Sequence, residues 1–344
     1  MKAMGFPLPP EDLEHVFNAA GECWSGLEGR RVLFTGASGF FGSWMLESFL
    51  YAGTRLGLPF RAIAVSRDAK RFSKSLPQLA CDPRVEILES DAATLPIPDG
   101  PVDYLVHSLV PDAGTRLPEM DAFFRAATDR LLDIAVRKTS RAFLLCSTGA
   151  VYQPKVPPAP FSEDDLLVPP DGPISYGQIR RRIEDRCHNA LAGSRTALKI
   201  ARGFAFVGPR LPLDANFAIG NFIRDALAGG PIIIQGDGTA VRSYLYASDM
   251  AAWLWRVLLN GRPGSASNVG SGIAMTIAGT AREVADAIAP GANICILGRD
   301  DARSYYMPEI SAESLYPPSV PRIALREAIL KTANFASPGD LFPK

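Results

Sequence analysis

Short apolar runs alternate along this chain with longer stretches whose apolar residues return every three or four positions. The runs cover residues 61–65, 85–88, 102–106, 142–146 and 197–201, and an earlier one ends at Leu33-Phe34. Runs of this length predict strands buried on both faces. The stretches between them predict helices: Phe41, Met45 and Phe49 fall at helical spacing, with Leu46 and Leu50 beside them. Strand alternating with helix predicts an α/β fold, a doubly wound parallel sheet covered on both faces. Proline-rich segments at 154–160 and 169–173 can continue neither element and are expected to form a loop over the C-terminal edge of the sheet. Ahead of the first run, Leu13, Val16 and Phe17 suggest a short amphipathic helix of unassigned purpose. We find no internal repeat.

The first run leads into Thr35-Gly36-Ala37-Ser38-Gly39-Phe40-Phe41-Gly42, and a helical pattern follows at once. This is the context a dinucleotide site requires. The first glycine permits a tight turn, the second lets backbone N–H groups approach a pyrophosphate, and the third lets helix pack on strand. Gly36, Ser38, Gly39, Phe40, Phe41 and Gly42 are therefore the candidate phosphate cradle of a Rossmann-type sheet. The expected division is an N-terminal extension at 1–28, a dinucleotide-binding domain at 29–204 to which 236–272 returns, and a smaller C-terminal substrate-binding domain from 205–235 and 273–344.

Composition narrows the class. The 344 residues carry 36 Lys plus Arg against 36 Asp plus Glu, so no basic stripe invites nucleic acid. The five cysteines (Cys23, Cys81, Cys146, Cys187, Cys295) show no paired spacing. They read as reduced thiols of a cytoplasmic protein, with no metal site and no disulfide frame. No apolar run is long enough to span a bilayer, and no secretion signal is evident.

Further segments carry a resemblance. Ser147-Thr148-Gly149-Ala150-Val151-Tyr152 is similar to an SSxxVYG segment, and Tyr176-Gly177-Gln178-Ile179-Arg180 with Glu184 is similar to YGxSKxxxE. Val207-Gly208-Pro209-Arg210 resembles VYGPR. Residues 236–246 with Asp249 resemble GDGxxxRDFxxV and its closing aspartate, and Asn268-Val269-Gly270 resembles a later NxG. Together with TGxxGxxG at 35–42, these resemble the extended short-chain dehydrogenase/reductases, the nucleotide-sugar epimerases and dehydratases, over nearly the whole chain from Arg30. The resemblance implies Thr148 and Tyr176 as catalytic residues, with Asp91 and its neighbour Ala92 at the adenine end of the cofactor. It also implies a homodimer, paired through helices near 121–137 and 176–189. Phe123, Ala127, Leu131 and Ile134 fit such burial, and burial within the subunit explains them equally well.

The chemistry is coherent. A hydride moves at a carbinol carbon only if a base takes or gives the hydroxyl proton. A free tyrosine ionises near pH 10, so acting as that base at neutral pH needs a fixed cation nearby. The family places a lysine four residues on, one helical turn away on the same face. Here that position holds Arg180, counted with Tyr176 as both catalytic and cofactor-binding. Arginine keeps the charge but cannot release its proton, so Arg180→Lys is expected to keep or raise activity. Two more departures are Phe124, where the family has an asparagine anchoring a water relay, and Ala205, where many members place a substrate-contacting asparagine. The bland alternative for Tyr176 is an aromatic packing under the proline-rich loop.

Missing residues narrow the reaction. Sugar 4,6-dehydratases of the family have an Asp-Glu pair after the threonine, and UDP-glucuronate decarboxylases a glutamate before Val-Tyr. Gly149 and Ala150 offer neither. The expected activity is NAD(P)-dependent 4-epimerisation or 4-keto reduction of a nucleotide sugar. Ser66-Arg67 after the second run suits a 2′-phosphate and tilts the cofactor toward NADP, with Asp68 arguing for NAD. Thr148, Tyr152, Asn216, Asn221, Arg210 and Arg242 are the candidate substrate contacts. Arg242 is the best choice for a diphosphate, its alternative being an ion pair with Asp237 or Asp249. A non-catalytic Rossmann sensor of NAD(P) and an RNA-associated relative are the competing classes.

Overall fold

The computed structural model of the protein describes residues 7–112, 114–138, 140–298, 305–310, 316 and 322–337. Residues 1–6 of the expected extension and several parts of the expected 273–344 segment lie outside the described residues.

The chain begins with α1 (Pro10–Ala20) and a 3-10 turn (Gly21–Leu27), then enters β1 (Arg31–Thr35), α2 (Phe40–Leu56) and β2 (Arg61–Ser66). It continues through α3 (Ala69–Ser75), α4 (Pro77–Ala80), β3 (Val85–Glu89), β4 (Tyr104–His107), α5 (Leu117–Arg137), β5 (Ala142–Thr148), α6 (Tyr176–Leu191) and β6 (Ala197–Gly203). Next come β7 (Ala205–Val207), α7 (Ala218–Leu227), β8 (Ile232–Ile234), β9 (Val241–Arg242), β10 (Tyr244–Tyr246) and α8 (Ala247–Asn260). The described chain closes with β11 (Ala266–Val269), β12 (Met275–Thr276), α9 (Ile277–Ile288), β13 (Ile294–Ile296), β14 (Tyr305–Tyr306) and α10 (Leu325–Ala336).

Seven parallel strands form the central sheet in the order β11-β6-β5-β4-β1-β2-β3. This is the doubly wound Rossmann-type sheet the alternation predicts. Several strands run one or two residues beyond their apolar runs, because polar ends still pair: Ser66 lies opposite Glu89 and Thr148 opposite Gly203. β4 begins at Tyr104 rather than at Val102. The Asp103 side chain there takes the Arg31 backbone N–H at 3.0 Å.

Alternate residues of each strand face opposite layers. Leu33, Ile63, Leu105, Phe143 and Leu145 pack with Phe124, Leu131 and Ile134 of α5 and Ile179 and Ile183 of α6. Val32, Phe34, Ala62, Ala64, Val106 and Leu144 face Trp44, Met45 and Phe49 of α2 and Trp255 of α8. Phe49 stacks between Phe60 at 4.8 Å and Trp255 at 5.6 Å. The amphipathic helix expected at the start is α1, and its buried Leu13 and Val16 join this second layer. A third cluster joins α7, α9 and α10 with β8 and β10 in the second half. No helix among the described residues is long and apolar enough to cross a membrane.

Strand order reverses between β1 and β4. In such sheets ligands bind outside the C-terminal strand ends at that reversal. Thr35, His107 and Thr148 end their strands there.

Candidate active site

A cleft of about 890 Å³ opens at this reversal and runs to the second half of the chain. The glycine loop forms one end. Gly36 has φ 72°, and a Cβ built on it would lie 2.6 Å from the Ser108 carbonyl oxygen, so the turn needs glycine. A Cβ at Gly42 would collide with the Gly36 carbonyl, so Gly42 permits close packing and does not line the cleft. Gly39 caps α2, which leaves the first N–H groups of a 17-residue helix facing the cleft beside Ser38, Phe40 and Phe41. This cradle fits a pyrophosphate.

Ser66, Arg67, Asp68, Asp91 and Ala92 line the cleft beyond β2 and β3, joined by Arg71 of α3. Arg67 pairs with the Asp112 carboxylate at 3.1 Å, both side chains being more than half exposed. Asp68 caps α3 by accepting from Arg71 N–H at 2.8 Å, so its carboxylate is engaged locally.

Thr148, Tyr176 and Arg180 line the same cleft. Thr148 ends β5, and its Oγ1 accepts the Ala150 N–H at 3.2 Å. Tyr176 opens α6 because Ser175 caps that helix, its Oγ accepting the Gln178 N–H at 3.2 Å. Gln178 also donates to the Pro169 carbonyl at 3.1 Å, fastening the proline-rich loop to the helix. Tyr176 is 38 % exposed and therefore reaches the cleft.

Arg180 is only 2 % exposed. Its Nη2 donates to the Cys146 carbonyl, its guanidinium lies 4.4 Å over the Phe124 ring, and its Nε has no partner among the described residues. The two departures at 124 and 180 thus form one stacked pair. Nearby, His107 bridges Thr35 at 3.1 Å and Thr128 at 3.0 Å. Burial, with the Arg180 charge adding to it, pushes the His107 imidazole down to about 3. Burial also pushes the Cys146 and Cys187 thiols up to about 12, which makes them poor nucleophiles.

The expected substrate contacts divide. Asn216 and Arg242 line the cleft. Tyr152, Arg210 and Asn221 do not. Tyr152 is 3 % exposed, held between Arg202 Nη1 at 2.9 Å and Asn268 Oδ1 at 2.8 Å. Arg210, at φ 69°, is consumed by a buried ion pair with Glu47 of α2. Asn221 accepts from Arg224 Nη1 at 3.2 Å on the flank of α7. Arg242 donates to the Val241 carbonyl at 2.8 Å and sits 5.8 Å over Tyr306. Three cleft or second-layer groups lay beyond the sequence patterns: Arg71, Tyr306, and Arg202, which pairs with Glu184 at 2.8 Å beneath Ser147. Arg71 carried a readable signal, a second arginine one helical turn after Arg67. Tyr306 and Arg202 carried none, being joined to the site only by long-range pairing.

The chain is similar to several known proteins. UDP-glucuronic acid decarboxylase 2 of Arabidopsis thaliana is 27 % identical over 298 residues, 83 % of this chain and 63 % of that protein. UDP-glucuronic acid decarboxylase 1 of Xenopus tropicalis is 30 % identical over 60 % of this chain and 49 % of its own length. The chain therefore spans from about half to under two thirds of these two relatives. Among solved structures, an epimerase of Methanothermobacter thermautotrophicus matches with a TM-score of 0.76 at 20 % identity, covering 93 % of this chain and 95 % of that one. UDP-glucuronic acid 4-epimerase of Bacillus cereus matches with a TM-score of 0.74 at 20 % identity over 89 % and 98 %. The model of the NAD dependent epimerase/dehydratase family matches residues 32–270. That span carries the glycine loop, Thr148, Tyr176 and Arg242 alike, and the chain belongs to this family.

Proposed function

We propose that this protein is an NAD(P)-dependent enzyme that moves a hydride at carbon 4 of a nucleotide sugar, as a 4-epimerase or a 4-keto reductase. The observation that carries the reading is one cleft lined by the glycine loop, by Thr148, Tyr176 and Arg180, and by Asn216 and Arg242. A nicotinamide held by the glycine loop would accept and return the hydride in an epimerase, or deliver it once in a 4-keto reductase. Tyr176 takes the C4 hydroxyl proton as hydride leaves and gives it back on return. Arg180, one helical turn beyond Tyr176, brings a fixed positive charge to the same cleft. Thr148 holds the C4 oxygen, and Arg242 meets the diphosphate with paired N–H groups. The homodimer through α5 and α6 belongs to the same reading. Its support is that the two helices lie side by side on one face of the sheet, and light scattering tests it.

The curated relatives favour a second reading, oxidative decarboxylation of a nucleotide hexuronate. Ala150 does not forbid it. Oxidation at C4 turns a C6 carboxylate into a β-keto acid, which loses carbon dioxide with electrons flowing to the C4 oxygen. Tyr176 and Thr148 can serve that oxygen, and a proton taken up at C5 from solvent then completes the pentose. The exclusion expected from Gly149 and Ala150 therefore does not stand on chemistry alone.

The test is turnover with UDP-, dTDP-, GDP- and CDP-sugars, their uronates and their 4-keto forms, with products identified by mass spectrometry. Epimer or reduced sugar supports the first reading, and a pentose with carbon dioxide supports the second. No turnover of any of them supports the sensor. Tyr176→Phe is expected to abolish turnover and leave cofactor affinity within about twofold, since only the phenolic oxygen is lost. Activity within tenfold of wild type would remove Tyr176 from the chemistry.

A further inference from the structure

The Tyr306 hydroxyl lies 2.9 Å from Thr148 Oγ1 and 3.2 Å from the Gly203 carbonyl oxygen. Two neighbours hold its ring. Phe204 tilts against it at 4.9 Å, and β14 pairs with β9 so that Tyr306 stands opposite Arg242. Tyr306 also lines the cleft. Chain segments 158 residues apart thus converge on one hydroxyl of the proposed catalytic pair.

A tyrosine hydroxyl has a single proton, and a threonine hydroxyl one proton and two acceptor sites. Two arrangements use the close contact between Tyr306 and Thr148. In the first, Tyr306 donates to Gly203 and Thr148 donates to Tyr306, so Thr148 offers no proton to the cleft. In the second, Tyr306 donates to Thr148. The two acceptor sites of Thr148 are then filled by Ala150 N–H and Tyr306 O–H, and its own proton is free for a ligand oxygen in the cleft.

We propose that Tyr306 is a positioning residue that sets the direction of the Thr148 proton, its own proton turning from Gly203 to Thr148 when a sugar oxygen enters the cleft. The inference rests on the reading of Thr148 as the group that holds the C4 oxygen. Burial pushes the Tyr306 phenol up to about 12, so it remains a protonated donor through the neutral range. A threonine that accepts two bonds is a better donor than one that accepts one. Its proton meets an oxygen that gains negative charge as hydride returns to C4, where a prepared donor matters most.

The experiment is a double-mutant cycle with Thr148→Val and Tyr306→Phe, read by single-turnover cofactor reduction at 340 nm and by steady-state kcat and KM. Tyr306→Phe keeps the ring against Phe204 and removes only the hydroxyl. It is expected to lower the rate about three- to tenfold, the scale of one hydrogen bond, with KM within about twofold. In the Thr148→Val background the same change is expected to cost nothing further, while Thr148→Ser keeps the effect. Equal losses in both backgrounds would mean that Tyr306 acts through packing, and a change in KM alone would make it a binding contact. Either result overturns the proposal. A wild type that binds and turns over no sugar nucleotide overturns the proposed function with it, whereas an active wild type with additive losses overturns only the role of Tyr306.

Discussion

Arg180 shows how a substitution reads differently once its surroundings are known. In sequence it is a lysine replaced by another cation, and restoring lysine is expected to keep or raise activity. In the fold, the guanidinium is stacked on Phe124 and bonded to the Cys146 carbonyl. An ammonium cannot stack as a plane or reach both partners. Arg180→Lys alone is therefore expected to lose roughly tenfold in kcat, about the worth of a buried cation–π contact. Arg180→Lys with Phe124→Asn is expected to recover most of it. Steady-state assays of wild type, both single variants and the double variant check this, and a fully active Arg180→Lys would show the stack to be incidental. Arg67 gives the second residue-scale prediction. Its exposed pair with Asp112 is worth about 1 kcal/mol or less, so a 2′-phosphate can displace it. Arg67→Ala should weaken NADP(H) by about 1–3 kcal/mol more than NAD(H) in fluorescence titrations. Equal losses would make Arg67 a surface charge and return the cofactor to NAD.

At the scale of elements, His107 ties β1, β4 and α5 together through Thr35 and Thr128. Its folded value of about 3 lies below the ordinary imidazole value. The unfolded chain therefore binds the extra proton first. The contribution of His107 is complete above about pH 6.5 and is lost as pH falls toward 3. At pH 5 the loss amounts to about 2 kcal/mol. Urea unfolding at pH 7.5 and pH 5 should show this loss in wild type, and His107→Asn, whatever its stability at pH 7.5, should show a smaller drop. An equal drop would place the acid sensitivity elsewhere.

Across the whole molecule, α1 joins the two halves. It packs on α8, and its Asp12 takes Lys331 of α10 at 2.8 Å and the Tyr246 hydroxyl at 2.6 Å. His15 contacts Asp249 of α8 at 2.7 Å, and the Tyr316 hydroxyl bonds the same carboxylate. The helix before the first strand thus clamps the last described helix to the sheet. Asp12 is 2 % exposed, and burial pushes its carboxyl above the ordinary range despite Lys331. Lys331→Met strands that carboxyl without its cation. It should cost about 1–3 kcal/mol, the scale of a buried acceptor losing one partner, seen as a lower Tm with unchanged kcat. A melting point equal to wild type would mean that Tyr246 suffices for Asp12.

The sequence by itself determined the sheet, the glycine loop and the positions of Thr148 and Tyr176. The first two rest on neighbours along the chain, apolar runs of strand length and glycines where Gly36 needs φ 72° and Gly42 close contact, and the last two rest on motifs shared with the family. Such signals are local, so they survive without coordinates. Tertiary structure decided what depends on partners far away. It withdrew Tyr152 and Arg210 into buried pairs with Arg202 and Glu47, joined Phe124 to Arg180, and set Tyr306 on Thr148. A polar side chain looks the same in sequence whether its partner is a ligand or a residue 163 positions away. Only the packed chain, which must satisfy every buried charge from within, tells the two apart.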